Sequence, residues 1–209
     1  MGDQKLIIRD SIKKRLVIPS KNKLREEEHH ILSVAHAYVE TGFSVMPLKK
    51  LEKRPSLSNW KFLQERLPTR DEIESWFGYH PDLNIGIITG EISGISVLDL
   101  DHAKKEEDDH GWENLKKGGW IFPSKEETPI IKTPHGYQIY YDYDKDMPTT
   151  TNFFGYKNVD TRNDGGYVVA PPSVVTCDRG NQNKYSVYSD SIPCPLHGSL
   201  EQGKYEVVK

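Results

Sequence analysis

Apolar positions along the chain divide it into a helical first half and a strand-rich second half. Apolar residues recur at helical spacing over residues 26–40, and Gly42 follows as a stop signal. Thr69 stands three residues before Glu72 in the pattern of a capping box, which predicts a second helix over residues 69–77. Short apolar or alternating runs predict strands over residues 43–48, 84–90, 94–101, 130–133, 137–143, 159–161, 167–170 and 185–188.

This order of elements predicts one domain of the α+β class. A helix and a charged loop are expected over residues 102–127, and most strands follow them, which favours a mixed β-sheet flanked by helices. The 209 residues suffice for one good-sized domain, and no internal repeat or linker interrupts them. We therefore expect a basic N-terminal arm over residues 1–25 and a single catalytic domain over residues 26–209.

The charge of the chain is unevenly distributed. The formal net charge is −3, yet residues 1–25 hold eight Lys and Arg side chains against two Asp. A basic arm on an acidic body can bind phosphate backbones, and it equally suits a solvated tail.

Composition also indicates the compartment. No apolar run approaches the ~20 residues that span a bilayer, and the N-terminus lacks the apolar core of a signal peptide. We therefore expect a cytoplasmic protein with no membrane partner. The two cysteines, Cys177 and Cys194, are too few for a disulfide framework. Cys194 and His197 have zinc-like spacing, but a structural zinc site needs four ligands, so reduced thiols are expected instead.

The most informative stretch for chemistry is an apolar run that ends in two carboxylates. Asp99 and Asp101 are two residues apart on a predicted strand, so they point to one face, about 7 Å apart. Their apolar neighbours Val97, Leu98 and Leu100 indicate a strand buried on both faces. Two charges there are costly unless compensated, and Mg²⁺ or Mn²⁺ is a natural partner. Alternatively, both carboxylates cap the next helix or lie solvated in a loop.

Two further segments carry groups that suit phosphate chemistry. Asp160 closes a short apolar run, and the glycines Gly165 and Gly166 allow close approach of a backbone or a phosphate. Lys53 and Arg54 lie in a basic loop, where they either bind phosphate or are simply solvated. Three carboxylates with cationic side chains and a glycine turn favour metal-assisted phosphoryl transfer, with two cations about 4 Å apart.

Ordered landmarks give the chain a resemblance to a known family. Gly-Ile-Ser-Val-Leu-Asp-Leu-Asp spans residues 94–101, and Thr-Pro-His-Gly-Tyr-Gln-Ile-Tyr-Tyr spans residues 133–141. A third motif covers residues 159–173, and the basic loop precedes all three. In this order the chain resembles the bifunctional primase-polymerase (Prim-Pol) domain of plasmids, phages and mobile elements, within the archaeo-eukaryotic primase superfamily.

The resemblance implies roles for individual residues. Asp99, Asp101 and Asp160 would be catalytic and would hold two Mg²⁺ or Mn²⁺ ions between the primer 3′-OH and the triphosphate of an NTP or dNTP. Where the family has a His that contacts the triphosphate, this chain has Gln138, which donates a hydrogen bond but carries no charge. His135 partly substitutes only if the turn re-aims it, because an odd separation places it on the opposite face.

The resemblance further implies that Arg162, Lys53 and Arg54 clamp the triphosphate, although Arg162 equally suits an ion pair with Asp160 or Asp164. The implied activity is template-directed nucleotidyl transfer, as a DNA primase, a polymerase or both, in a plasmid, phage or mobile-element replication protein. The expected partners are a DNA template, single-stranded or primed, and a helicase domain or protein. The alternative is a weak or inactive primase-fold module that binds DNA or nucleotide in a replication-initiation assembly.

Overall fold

The computed structural model describes residues 31–104, 109–120, 128–177 and 180–189. The predicted basic arm, the first residues of the first predicted helix, and Cys194 with His197 lie outside these ranges. The helices are α1 (Ile31–Glu40), α2 (Arg70–Phe77) and α3 (Gly111–Lys117), and 3₁₀ turns span Lys61–Gln64 and Phe153–Gly155. The strands are β1 (Val45–Leu48), β2 (Asn84–Ile88), β3 (Ile95–Asp101), β4 (Ile130–Thr133), β5 (Gly136–Asp142), β6 (Val159–Arg162), β7 (Tyr167–Ala170), β8 (Val174–Thr176), β9 (Gln182–Lys184) and β10 (Ser186–Ser189).

Local signals in the sequence account for the helix ends. The Thr69 hydroxyl accepts a hydrogen bond from the Glu72 N–H at 3.2 Å, and the Glu72 carboxylate accepts one from the Thr69 N–H at 2.8 Å. The predicted capping box is therefore confirmed. Helix α1 ends just before Gly42, which has a φ of 97° that favours glycine.

The strands form three sheets. Their orders are β1-β2-β7, β10-β4-β5-β3-β6 and β8-β9. Every ladder between described strands is antiparallel, and Leu51 and Val175 form a parallel bridge. The predicted α+β fold, with sheet and flanking helices in one domain, is confirmed.

The centre of the five-stranded sheet packs against a core cluster on each face. Val97 and Ile131 pack into the larger core cluster, which contains α1, α2 and the three-stranded sheet. Leu98 and Leu100 pack into a second cluster with Leu115 of α3 on the other face. The expectation that β3 is buried on both sides is therefore correct.

Two neighbouring connections, from β2 to β3 and from β6 to β7, join the three-stranded sheet to the five-stranded sheet. The connection from β2 to β3 is closed by the Gly90 N–H, which donates to the Ile95 carbonyl at 2.8 Å. The connection from β6 to β7 is a tight turn in which the Gly166 N–H donates to the Asn163 carbonyl at 2.9 Å. The Thr89 hydroxyl binds the same Asn163 carbonyl at 2.7 Å, which links the two connections.

The structure differs from the sequence prediction at short polar elements. Strands β8 and β9 were not predicted, because β8 has three residues and all of β9 is exposed and polar. In the segment expected to form a helix and a loop, α3 begins only at Gly111. The His110 N–H donates to the Glu113 carboxylate at 3.0 Å, which anchors the first turn of α3.

Candidate active site

Polar side chains stand side by side on three neighbouring strands. In the β3–β6 ladder Asp99 is paired with Asp160, and in the β3–β5 ladder Asp99 is paired with Gln138. The Cβ atoms of directly opposed residues lie about 5 Å apart, so these three residues form a row across the sheet. Asp101 follows on the same face, opposite Gly136. The fold therefore brings Asp160 beside the two earlier carboxylates.

Glycine at position 136 permits this close pairing. A Cβ built on Gly136 would lie 1.8 Å from the Leu100 carbonyl oxygen, far inside any real contact distance. Only glycine therefore lets β5 approach β3 beside Asp101.

Asn163 fixes the turn that follows β6. Its amide donates to the carbonyl oxygens of Asp144 at 2.8 Å and Met147 at 2.6 Å. Its Oδ1 accepts from the Ser96 hydroxyl at 3.0 Å. All of these bonds join segments distant in sequence, and Asn163 is only 1 % exposed. The position of β6 against β3 is thus held by a buried polar hub.

The row of polar residues forms one wall of a cleft of about 370 Å³, and β7 forms another through Tyr167, Val168 and Val169. Glycines Gly165 and Gly166 of the turn also line it. Six of the eight predicted site residues lie on its walls: Lys53, Asp99, Asp101, Gln138, Asp160 and Arg162.

His135 and Arg54 do not line this cleft. His135 lies in the turn between β4 and β5, where its carbonyl accepts a hydrogen bond from the His102 N–H. Arg54 is exposed and pairs with Glu52 at 2.6 Å. His135 is thus displaced from Gln138, because it lies in the turn before β5. The loop conformation separates Lys53, which faces the cleft, from its neighbour Arg54.

The carboxylates repel one another. Burial, and next the carboxylate of Asp101, raise the pKa of Asp99 to about 7. Arg162 and Lys53 act in the opposite direction, which places both cations within electrostatic reach of Asp99. Neither Asp99 nor Asp101 has a side-chain hydrogen bond or ion pair within the described ranges. This pair of acids therefore lacks sufficient compensating charge.

Asp160, by contrast, has partners. One of its carboxylate oxygens accepts from the Arg162 guanidinium at 2.9 Å, and the other accepts from the Asn152 N–H at 3.1 Å. The alternative reading of Arg162, an ion pair with Asp160, is therefore what the structure contains. Among the described residues, no three His, Cys, Asp or Glu side chains are already gathered around a common metal position.

Gln138 is a buried donor at the cleft wall. It is 2 % exposed, and its Oε1 accepts from the Tyr140 hydroxyl at 3.4 Å. Its Nε2 has no hydrogen-bond partner within the described part of the chain. A buried amide donor without a partner is costly, and a ligand oxygen in the cleft would satisfy it.

Sequence reasoning missed two residues of the cleft. Thr149 lines it from the segment before β6, and no motif distinguishes this residue from other surface threonines. Tyr185, which directly precedes β10, lines it and is 2 % exposed. Burial, followed by the nearby Asp99 and Asp101 carboxylates, raises the pKa of Tyr185. The sequence predicted a strand at Tyr185 but held no signal that its side chain would line the same cleft as Asp99 and Asp101.

Comparison with known proteins assigns the chain to a family. In the described part of the structure, no helix combines the length and the apolar character needed to cross a membrane. No curated protein matches the chain. The family model described as bifunctional DNA primase/polymerase, N-terminal, matches residues 35–198, which include all eight predicted site residues. The chain therefore belongs to the Prim-Pol family of DNA primase/polymerase-type nucleotidyltransferases.

Proposed function

We propose that this chain is a template-directed nucleotidyltransferase that uses divalent cations, with Asp99, Asp101 and Asp160 as its catalytic carboxylates. The observation that carries the proposal is the row of Gln138, Asp99 and Asp160 across three adjacent strands. This row lies in a cleft whose walls also hold cationic side chains and a glycine turn. Such a combination suits a triphosphate and the cations that accompany it.

The acidic pair fits a divalent cation. Carboxylate oxygens are the ligands that Mg²⁺ and Mn²⁺ prefer, and neither Asp99 nor Asp101 has a side-chain hydrogen bond or ion pair to another described residue. When bound, two cations would neutralise the triphosphate and make the attacking 3′-hydroxyl more acidic. Asp160 would complete the set of cation ligands if its carboxylate left Arg162. The Arg162 guanidinium would then be able to bind phosphate oxygens.

Three side chains on the walls of the cleft would hold the NTP or dNTP. Lys53 is exposed at the rim and has no ion-pair partner among the residues described. Arg162 carries the second positive charge, and the Gln138 Nε2 donates without adding charge. The Gly165–Gly166 turn leaves room for phosphate to approach the backbone.

Primer extension tests the proposal. Wild type should extend a labelled primer on a DNA template with Mg²⁺ or Mn²⁺, and Asp101→Asn should abolish extension while leaving the fold intact. Asp146→Asn is the matched control, because it neutralises an exposed acid in a turn outside the cleft. Equal extension by wild type and Asp101→Asn would overturn the proposal.

A second candidate is a weak or inactive module that binds DNA or nucleotide in a replication-initiation assembly. The neutral Gln138 and the Asp160–Arg162 ion pair favour it, because both reduce the charge available for catalysis. Wild type that binds template but extends no primer would select this candidate. For either function we propose the setting of a plasmid, phage or mobile-element replication protein that acts with a helicase.

A further inference from the structure

The face of the five-stranded sheet opposite the carboxylates carries a row of aromatic rings. Trp112 of α3, Tyr137 of β5 and Tyr188 of β10 form this aromatic row, with successive ring centroids 6.2 and 5.9 Å apart. Tyr188 is 52 % exposed. The three rings line a pocket of about 420 Å³ together with Ile130 and Ile139. Aromatic surface of this kind, left open by the described chain, indicates a binding face.

Cationic side chains border the aromatic row. Lys116 lines the same pocket, and Lys132 is the cross-strand partner of Tyr137 on the same face. Both lysines are exposed, and neither has an ion-pair partner among the residues that the structure describes. No Asp or Glu is among the described residues that line the pocket. The charge of this face therefore complements a polyanion.

Histidine rings extend the surface around the end of β3 toward the cleft. His102 follows Asp101 directly, and its ring centroid lies 5.2 Å from that of His110 and 5.1 Å from that of Trp112. His110 stacks on Trp112 with centroids 4.5 Å apart and an interplanar angle of 23°. A strip of rings thus leads from the acidic pair to the aromatic row.

We propose that the aromatic row binds the bases of single-stranded nucleic acid and holds the part of the template strand that lies outside the cleft. Aromatic rings stack on any base, and lysines beside them bind the phosphates, which is how sequence-tolerant single-strand binding works. The choice of a template strand rests on the proposed function, whereas the binding itself needs neither metal nor nucleotide.

The test is the affinity of the full chain for a fluorescent oligothymidylate of about 16 nucleotides, measured by anisotropy in EDTA. Tyr188→Ala should weaken binding about five-fold or more, because one stacking platform is lost. Tyr188→Phe should bind like wild type, because it keeps the ring. Tyr79→Ala is the matched control, since it removes a tyrosine that is 85 % exposed outside the pocket.

The salt dependence of oligothymidylate binding measures the contribution of the lysines. Lys132→Gln should lower the slope of log affinity against log salt concentration by about 0.7, the value for one phosphate contact on a single strand. Lys61→Gln, an exposed lysine outside the pocket, should leave the slope unchanged.

Equal oligothymidylate affinity of wild type and Tyr188→Ala would overturn the proposal. If the sedimentation mass of Tyr188→Ala also differed from that of wild type, the face would be assigned to a second copy of the chain. Failure of the proposed function is separable, because it would appear as absent primer extension with single-strand binding intact.

Discussion

Replacing Asp99 with asparagine should stabilise the protein when divalent cations are absent. Burial and the neighbouring Asp101 raise the pKa of Asp99 from 3.8 to about 7. The unfolded chain keeps the ordinary value, so between about pH 4 and pH 7 the folded protein binds more protons at this site. Stability therefore falls as the pH rises through that window, and asparagine removes this loss.

The size of the effect follows from the pKa and the surroundings of Asp99. A rise from 3.8 to about 7 corresponds to at most about 4 kcal/mol. The carboxylate is only partly buried and lines an open cleft, so solvent offsets much of that cost. We expect Asp99→Asn to raise the free energy of unfolding by about 1–2 kcal/mol at pH 8, and to change it little near pH 4.

Urea denaturation in EDTA at both pH values measures this difference. The midpoint should rise at pH 8 with an unchanged m-value. Asp146→Asn, which neutralises an exposed acid, should stay within about 0.5 kcal/mol of wild type at both pH values. Added Mn²⁺ should stabilise wild type more than Asp99→Asn. A variant that is less stable than wild type to the same extent at both pH values would refute the electrostatic reasoning.

Three other substitutions test residues that shape or line the cleft. Gly136→Ala should lower the free energy of unfolding, measured by urea denaturation, by about 1–3 kcal/mol, because its Cβ would collide with the Leu100 carbonyl. Unchanged stability would contradict the tight β3–β5 pairing. Asn163→Ala should lower the free energy of unfolding by about 2–4 kcal/mol, because it leaves buried polar groups without hydrogen-bond partners. A loss of less than about 1 kcal/mol would argue against the buried hub. Gln138→His should lower the KM for nucleotide, more at pH 6 than at pH 8, since a protonated imidazole adds positive charge. An unchanged KM at both pH values would mean that this side chain does not face the triphosphate.

Strand β3 and helix α2 were predictable because their signals are local. Alternation along β3 places Asp99 and Asp101 on one face whatever the partner strands are. The apolar residues between and before them indicate burial on both sides, and the core clusters confirm it. The Thr69 capping box likewise depends on residues three apart.

The direction of each side chain at the site could not be predicted from the sequence in the same way. Lys53 and Arg54 are adjacent and equally basic, yet Lys53 lines the cleft and Arg54 pairs with Glu52. The direction of each side chain depends on the loop backbone, which is set by contacts such as the bond from the Tyr167 hydroxyl to the Lys53 carbonyl at 3.2 Å. No periodic pattern encodes such a contact.

By itself the sequence determined which residues carry charge, most of the helices and longer strands, and the family to which the chain belongs. Tertiary structure alone decided that Asp160 is paired with Asp99, that Arg162 forms an ion pair with Asp160, and that Tyr185 lines the same cleft as the acidic pair. The physical reason is that the first set of features depends on residues close together in the sequence, whereas the second depends on residues far apart. Side-chain direction along a strand repeats every two residues, whereas the register between strands sixty residues apart is set by the packing of the whole core.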